Sequence, residues 1–154
     1  HPLAFYAAYF YRRSQKGGFD AALMTGGLDA ILANIDAIDS NEDATAKDED
    51  LLTTMEVVYE FYLRGFHFDT IDIYKSDATN FLITENGLLP PFVSVRGLGE
   101  TAARATVEQR KGKSFISVEE FATCCNKLSK THIEQLKGLG SFAGMAETSQ
   151  ITFF

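Results

Sequence analysis

The fold of this chain is decided at Val93-Ser94-Val95-Arg96-Gly97-Leu98-Gly99-Glu100-Thr101-Ala102-Ala103-Arg104-Ala105, where apolar residues lead into Gly-apolar-Gly and small residues then open a helix. Glycine permits a tight turn and a close approach to another backbone. The first N–H groups of the following helix lack intrahelical acceptors, and its dipole favours negative charge there. Such a turn suits a phosphate. Gly-x-Gly alone also fits a plain helix-start turn, so the surroundings have to decide between the two. A second Gly-Leu-Gly, at 138–140, follows a helical stretch and reads as a C-cap.

The net charge of −7 argues at first against a nucleic-acid partner. Its distribution reverses that reading: residues 1–90 hold 6 Lys/Arg against 15 Asp/Glu, whereas residues 91–140 hold 8 against 5. Only the basic back half suits phosphate. The 154 residues, 45% hydrophobic and 12% aromatic, are enough for one domain or two small ones with a buried core. No apolar run approaches membrane-spanning length, so a soluble protein with no membrane partner is expected. The first residue is His1 and not Met, as expected of a piece of a longer chain. Cys124 and Cys125 are adjacent, a poor geometry for a bridge, and read as reduced thiols. His1, His67 and His132 lack metal-ligand spacing and read as surface or packing residues.

Outward from the hairpin, the pattern is mainly α with a small β element. Pro2 opens a helix carrying Leu3, Phe5, Tyr6, Tyr9 and Phe10, and Gly17-Gly18 ends it. Asp20 caps a short helix, Gly26-Gly27 interrupts it, and Ile31, Leu32, Ile35 and Ile38 continue at helical spacing. The polar stretch 40–50 leads into a helix with Leu51, Leu52, Met55, Val58, Tyr59 and Tyr62 on one side, stopped at Gly65. Extended pieces are expected at 66–68, 71–74 and 80–83, with a hairpin turn at Asn86-Gly87. Short helices fill the last third, one opened by a capping box at Ser117-Val118-Glu119-Glu120.

The hairpin resembles the helix-hairpin-helix family. That resemblance implies that amides of Gly97, Gly99, Thr101 and Ala102 face a DNA phosphate, that Arg104 adds charge, and that Leu98 is buried to pin the turn. It also implies a possible K⁺ or Na⁺ held by the carbonyls of Val93, Val95 and Leu98. Leu128-Ser129-Lys130-Thr131 stands where a second, degenerate hairpin would be; lacking glycine, it reads as structural, with Lys127 and Lys130 as outer phosphate contacts.

End to end, the chain is similar to the C-terminus of PolC-type DNA polymerase III alpha subunits. The similarity is carried by residues 1–10 (His-Pro-Leu-Ala-Phe-Tyr-Ala-Ala-Tyr-Phe), Leu63-Arg64-Gly65-Phe66, residues 72–79 (Asp-Ile-Tyr-Lys-Ser-Asp-Ala-Thr), Leu89-Pro90-Pro91-Phe92, Gly97-Leu98-Gly99 and Leu128-Ser129-Lys130-Thr131. It implies three parts: 1–65, the helical end of the fingers; 66–142, a duplex-binding helix-hairpin-helix region with a small β-hairpin; and 143–154, a flexible tail. Gln150-Ile151-Thr152-Phe153-Phe154 looks like the clamp-binding pentapeptide of these polymerases, with Gln at the rim of a pocket and the last two rings inside it. An apolar tail packed on its own domain is the alternative.

The implied function is sequence-independent holding of primer–template duplex and tethering to the sliding clamp, within a cytoplasmic, nucleoid-associated replicative DNA-directed DNA polymerase. The remainder of that polymerase is a further implied partner. Its Mg²⁺-binding palm carboxylates have no counterpart here, so no catalytic residue and no cofactor of the fragment itself are assigned. Asp36 with Asp39, and Asp48-Glu49-Asp50, read as solvated faces or caps, and Arg12 and Arg13 are candidate template contacts. Two other classes stay open: a protein-interaction module and the helix-hairpin-helix domain of a repair protein.

Overall fold

Residues 1–149 are described by a computed structural model. Among them α1 (Pro2–Gln15), α2 (Ala21–Met24), α3 (Leu28–Asp39) and α4 (Ala46–Leu63) precede three strands, β1 (His67–Phe68), β2 (Leu82–Thr84) and β3 (Gly87–Leu89). A 3-10 turn at Phe92–Ser94 then leads to α5 (Glu100–Gln109), α6 (Val118–Cys124) and α7 (Lys130–Gly138). The protein is mainly α with one small sheet. No helix of the described residues is long and apolar enough to cross a membrane.

Local chemistry explains most of these boundaries. In α1, Leu3, Tyr6 and Phe10 are buried at helical spacing, and the chain leaves the helix through Gly17 at φ +70°. The amides of Gly17 and Gly18 return to Ser14 O and Arg13 O, satisfying carbonyls that a helix end leaves open. Gly140, at φ +90°, ends α7 in the same way, its amide and that of Ser141 reaching Lys137 O and Leu136 O. The acidic stretch before α4 supplies a capping box between Thr45 and Asp48 at the helix's positive end.

Two apolar clusters form the core. One joins α1, α3 and α4 to the sheet through Phe10, Ile31, Met55, Phe61, Phe68, Phe81 and Leu88. Its rings meet mostly edge to face or tilted, as Phe19 and Phe81 do at 4.9 Å between centroids, while Phe61 and Phe68 stack at 4.6 Å. The other cluster gathers Phe92, Val95, Leu98, Phe121, Leu136 and Phe142 from the hairpin and the last three helices. α2 straddles both, with Ala21 in the second cluster and Met24 in the first.

The sheet order is β1-β3-β2, parallel between β1 and β3 and antiparallel between β2 and β3. Its tight turn lies at Glu85-Asn86, not at Asn86-Gly87, because Thr84 pairs with Gly87. Asn86 takes the positive φ of 56°, while Gly87 serves a different need: a Cβ there would lie 2.5 Å from His67 O. Residues 71–74, expected to be extended, form no strand; a turn occupies 73–75. Asp72 Oδ1 accepts from the amides of Tyr74 (2.7 Å) and Lys75 (3.1 Å), so those donors are lost to any ladder.

The capping box expected at 117–120 is half present: Ser117 Oγ accepts from Glu120 N–H at 3.0 Å. The first amides of α6 go elsewhere. Val118 N–H donates to Ala146 O (2.9 Å) and Glu119 N–H to Glu147 O (3.0 Å), so residues 146–147 are held on α6 although the sequence pattern there suggests a loose tail. Residues 150–154, the expected clamp-binding pentapeptide, lie outside the described residues.

Candidate nucleic-acid interface

The hairpin closes by a Leu98 N–H to Val95 O hydrogen bond of 3.0 Å across Arg96 and Gly97. Gly97 sits at φ +77°, a conformation that strains any side chain. Leu98, only 4% exposed, inserts into the second apolar cluster and anchors the turn. Arg96 turns away from the helix start toward α2, where its Nε (2.8 Å) and Nη2 (2.7 Å) both reach Asp20 Oδ2. The other carboxylate oxygen of Asp20 accepts from Ala22 N–H at 3.0 Å, so one buried side chain caps α2 and moors the hairpin.

Past Leu98 the backbone opens to solvent. Gly99, the N-cap of α5, has an ordinary φ of −79°, and a Cβ added there would meet nothing within 4 Å. Neither conformation nor packing among the described residues requires glycine at that position. Among the described residues no hydrogen-bond acceptor reaches the amides of Gly97, Gly99, Glu100, Thr101 or Ala102; Ala103 N–H, bonded to Gly99 O at 3.0 Å, is the first to be satisfied. α2, α4, α6 and α7 begin with a side-chain cap, whereas α1, α3 and α5 have none. α5 therefore presents bare donors and the positive end of its dipole beside an exposed glycine.

The cationic residues divide into free and engaged. Lys127 and Lys130 are exposed and have no ion-pair partner among the described residues. Arg104 is exposed, but its Nε lies 3.3 Å from Glu100 Oε2, so part of its charge is compensated one helical turn back. Arg110 is structural: it lies 5.6 Å from the centroid of the Phe92 ring and donates to Ile73 O. Burial lowers its pKa, against the pull of Asp72 and Asp77. Arg13 is tied to α4 through Thr54 Oγ1 (2.8 Å), Asp50 O (2.8 Å) and Asp50 Oδ1 (2.7 Å).

A groove of about 340 Å³ runs between the end of α1, at Ser14, Gln15 and Gly17, and the hairpin, at Gly97, Gly99 and Glu100. Of the carbonyls considered for a monovalent cation, that of Val95 accepts the Leu98 amide, whereas those of Val93 and Leu98 accept no hydrogen bond from the described residues. No group of three or more His, Cys, Asp or Glu that could hold a metal ion occurs among the described residues. Cys124 and Cys125 are free thiols; burial first, and then Cys124, pushes Cys125 up to about 12.

Sequence reasoning missed two residues here. Arg96 had no local signal, since its partner is 76 positions away. His132 could have been found, because Ser129 and His132 stand at capping-box spacing; Ser129 Oγ accepts from His132 N–H and His132 Nδ1 accepts from Ser129 N–H, each at 3.1 Å.

An uncapped α5 behind a buried apolar pin in a glycine turn is the arrangement of a helix-hairpin-helix, and the family pattern described as a helix-hairpin-helix motif matches residues 65–151. The chain belongs to that family. Along its whole length it is also similar to part of proteins named DNA polymerase III PolC-type. It is 43% identical to that of Caldanaerobacter subterraneus subsp. tengcongensis over 155 residues, 41% to that of Streptococcus suis over 157, and 40% to that of Clostridium perfringens over 155. All of this chain is covered in each case, but only 11%, 10% and 10% of those proteins. The chain spans about a tenth of their length.

Proposed function

We propose that this chain is the duplex-holding part of a PolC-type replicative DNA polymerase. The open α5 start would bind the DNA backbone independently of sequence, with the amides of Gly97, Gly99, Thr101 and Ala102 as donors. Arg104, Lys127 and Lys130 would add charge around them. The observation that carries this reading is Gly99: nothing among the described residues needs glycine there, and the close approach it allows suits a DNA backbone. Contacts to phosphate alone carry no base preference, as copying an arbitrary template requires.

In this reading residues 1–65 are the end of the fingers, 66–142 the duplex-binding region and 143–154 the tail. Nucleotidyl transfer, with its Mg²⁺, belongs to palm carboxylates elsewhere in the polymerase. A K⁺ or Na⁺ on the carbonyls of Val93, Val95 and Leu98 would add positive field beneath the phosphate. Gln150-Ile151-Thr152-Phe153-Phe154 would anchor the enzyme to the sliding clamp and raise its effective concentration at the primer end.

Titration of duplex DNA at two salt concentrations tests the reading. Affinity is expected to fall with salt at a log–log slope of about −0.9 per neutralised phosphate, and Gly99→Val should abolish binding in a folded protein. Salt-insensitive binding, or full binding by Gly99→Val, would overturn it. Deleting residues 150–154 should abolish clamp binding and leave duplex affinity unchanged; clamp binding that survives the deletion refutes the pentapeptide.

A further inference from the structure

We infer that His132 is an additional DNA contact, donating from Nε2 to the phosphate held by the hairpin; the inference rests on the duplex-holding reading above. Nδ1 of His132 accepts the Ser129 amide at 3.1 Å, which in the neutral imidazole places the hydrogen on Nε2. That nitrogen lies 4.0 Å from the position a Cβ on Gly97 would occupy, at the edge of the turn, and the ring is half-buried. No acceptor among the described residues takes the Nε2 hydrogen. The ring is oriented by one nitrogen and leaves the other as a donor at the edge of the glycine turn that precedes α5.

The residue type supports the same conclusion. A capping box normally uses Glu or Gln at this position, and Glu would also favour the helix dipole. A carboxylate there would stand against the hairpin and repel a phosphate. Histidine closes the box from its δ nitrogen without bringing negative charge to the turn. Lys130, exposed at the first position of α7, adds positive charge on the same helix start.

The test compares the whole chain with His132→Glu, His132→Gln and Thr131→Glu in duplex titrations at low salt, alongside Gly99→Val. Both His132 variants keep a capping-box acceptor, so thermal midpoints should stay at the wild-type value or rise. His132→Glu is expected to bind about tenfold more weakly than Thr131→Glu, which makes the same charge change at the exposed neighbouring position and so corrects for general repulsion. His132→Gln, whose amide can both cap and donate, should stay within about threefold of wild type. If His132→Glu binds no worse than Thr131→Glu while Gly99→Val fails to bind, His132 is only a cap and the hairpin reading stands. If Gly99→Val binds like wild type, both readings fall together. Should His132→Glu not fold, the decision passes to His132→Leu: affinity equal to that of His132→Gln overturns the inference.

Discussion

Arg96 and Asp20, 76 positions apart, meet at 2.7 Å between Nη2 and Oδ2 and moor the glycine hairpin to the first turn of α2. The Asp20 side chain is 7% exposed and that of Arg96 61%, so a buried acceptor is paired with a residue largely open to water.

Asp20→Ala removes both the α2 cap and the mooring, and is expected to lower stability by about 1–3 kcal/mol in urea denaturation. Asp20→Asn retains a capping oxygen and should fall between Ala and wild type. Equal losses for the two substitutions would show that the cap contributes nothing.

The two hairpin glycines separate conformation from contact. Gly97→Ala forces a side chain into positive φ and should cost about 1–2 kcal/mol of stability. Gly99→Ala occupies open space at a normal φ and should leave stability unchanged or raise it by up to about 1 kcal/mol. Gly99→Ala should nevertheless weaken duplex binding; unaltered affinity would place the DNA away from α5.

Glu100 holds Arg104 at 3.3 Å and sets a negative charge beside the open amides. Glu100→Gln should tighten duplex binding by about threefold to tenfold at low salt, with the difference fading as salt rises. A loss of affinity would mean that the Glu100–Arg104 pair positions the arginine for its contact.

Tyr62 joins α4 to the α2–α3 turn: its hydroxyl donates to Met24 O at 2.6 Å and accepts from Gly27 N–H at 3.2 Å. Tyr62→Phe should cost about 1–2 kcal/mol at neutral pH. Burial raises the Tyr62 pKa from 10.0 to about 12, outweighing the lowering by the Gly27 amide. A raised folded-state value means that this stabilisation is complete below pH 10 and is lost as pH rises toward 12. Cys125, raised from 9.0 to about 12, acts in the same direction from pH 9. Urea midpoints of the wild type should therefore fall across pH 9–12, and Tyr62→Phe should fall less steeply above pH 10. Parallel curves would remove Tyr62 from the alkaline transition.

Much of this protein could be read before its structure. The bounds of α1, the Asp20 cap and the stop at Gly65 follow from rules acting over a few residues: periodicity, capping and positive φ. The misread positions are those where a distant or side-chain partner competes. Gly87 looked like a turn residue but makes room for His67 O, and residues 71–74 looked like a strand until Asp72 took their amides. Arg13, a candidate template contact in the sequence, donates to Thr54 and Asp50 of α4, partners that no local pattern reveals.

At the hairpin itself, local sequence was sufficient to determine a glycine turn and a helix start of small residues, since each depends on backbone geometry within ten positions, whereas the burial of Leu98 came from the family resemblance and is made by residues as distant as Phe142. Tertiary structure alone decided which donors stay open. Whether an amide is bare depends on what folds over it: the backbone of residues 146–147 covers α6, side-chain caps serve α2, α4 and α7, and nothing described covers α5. The same packing turns Arg96 inward to Asp20 and brings His132 to the edge of Gly97, contacts that no spacing in the sequence encodes.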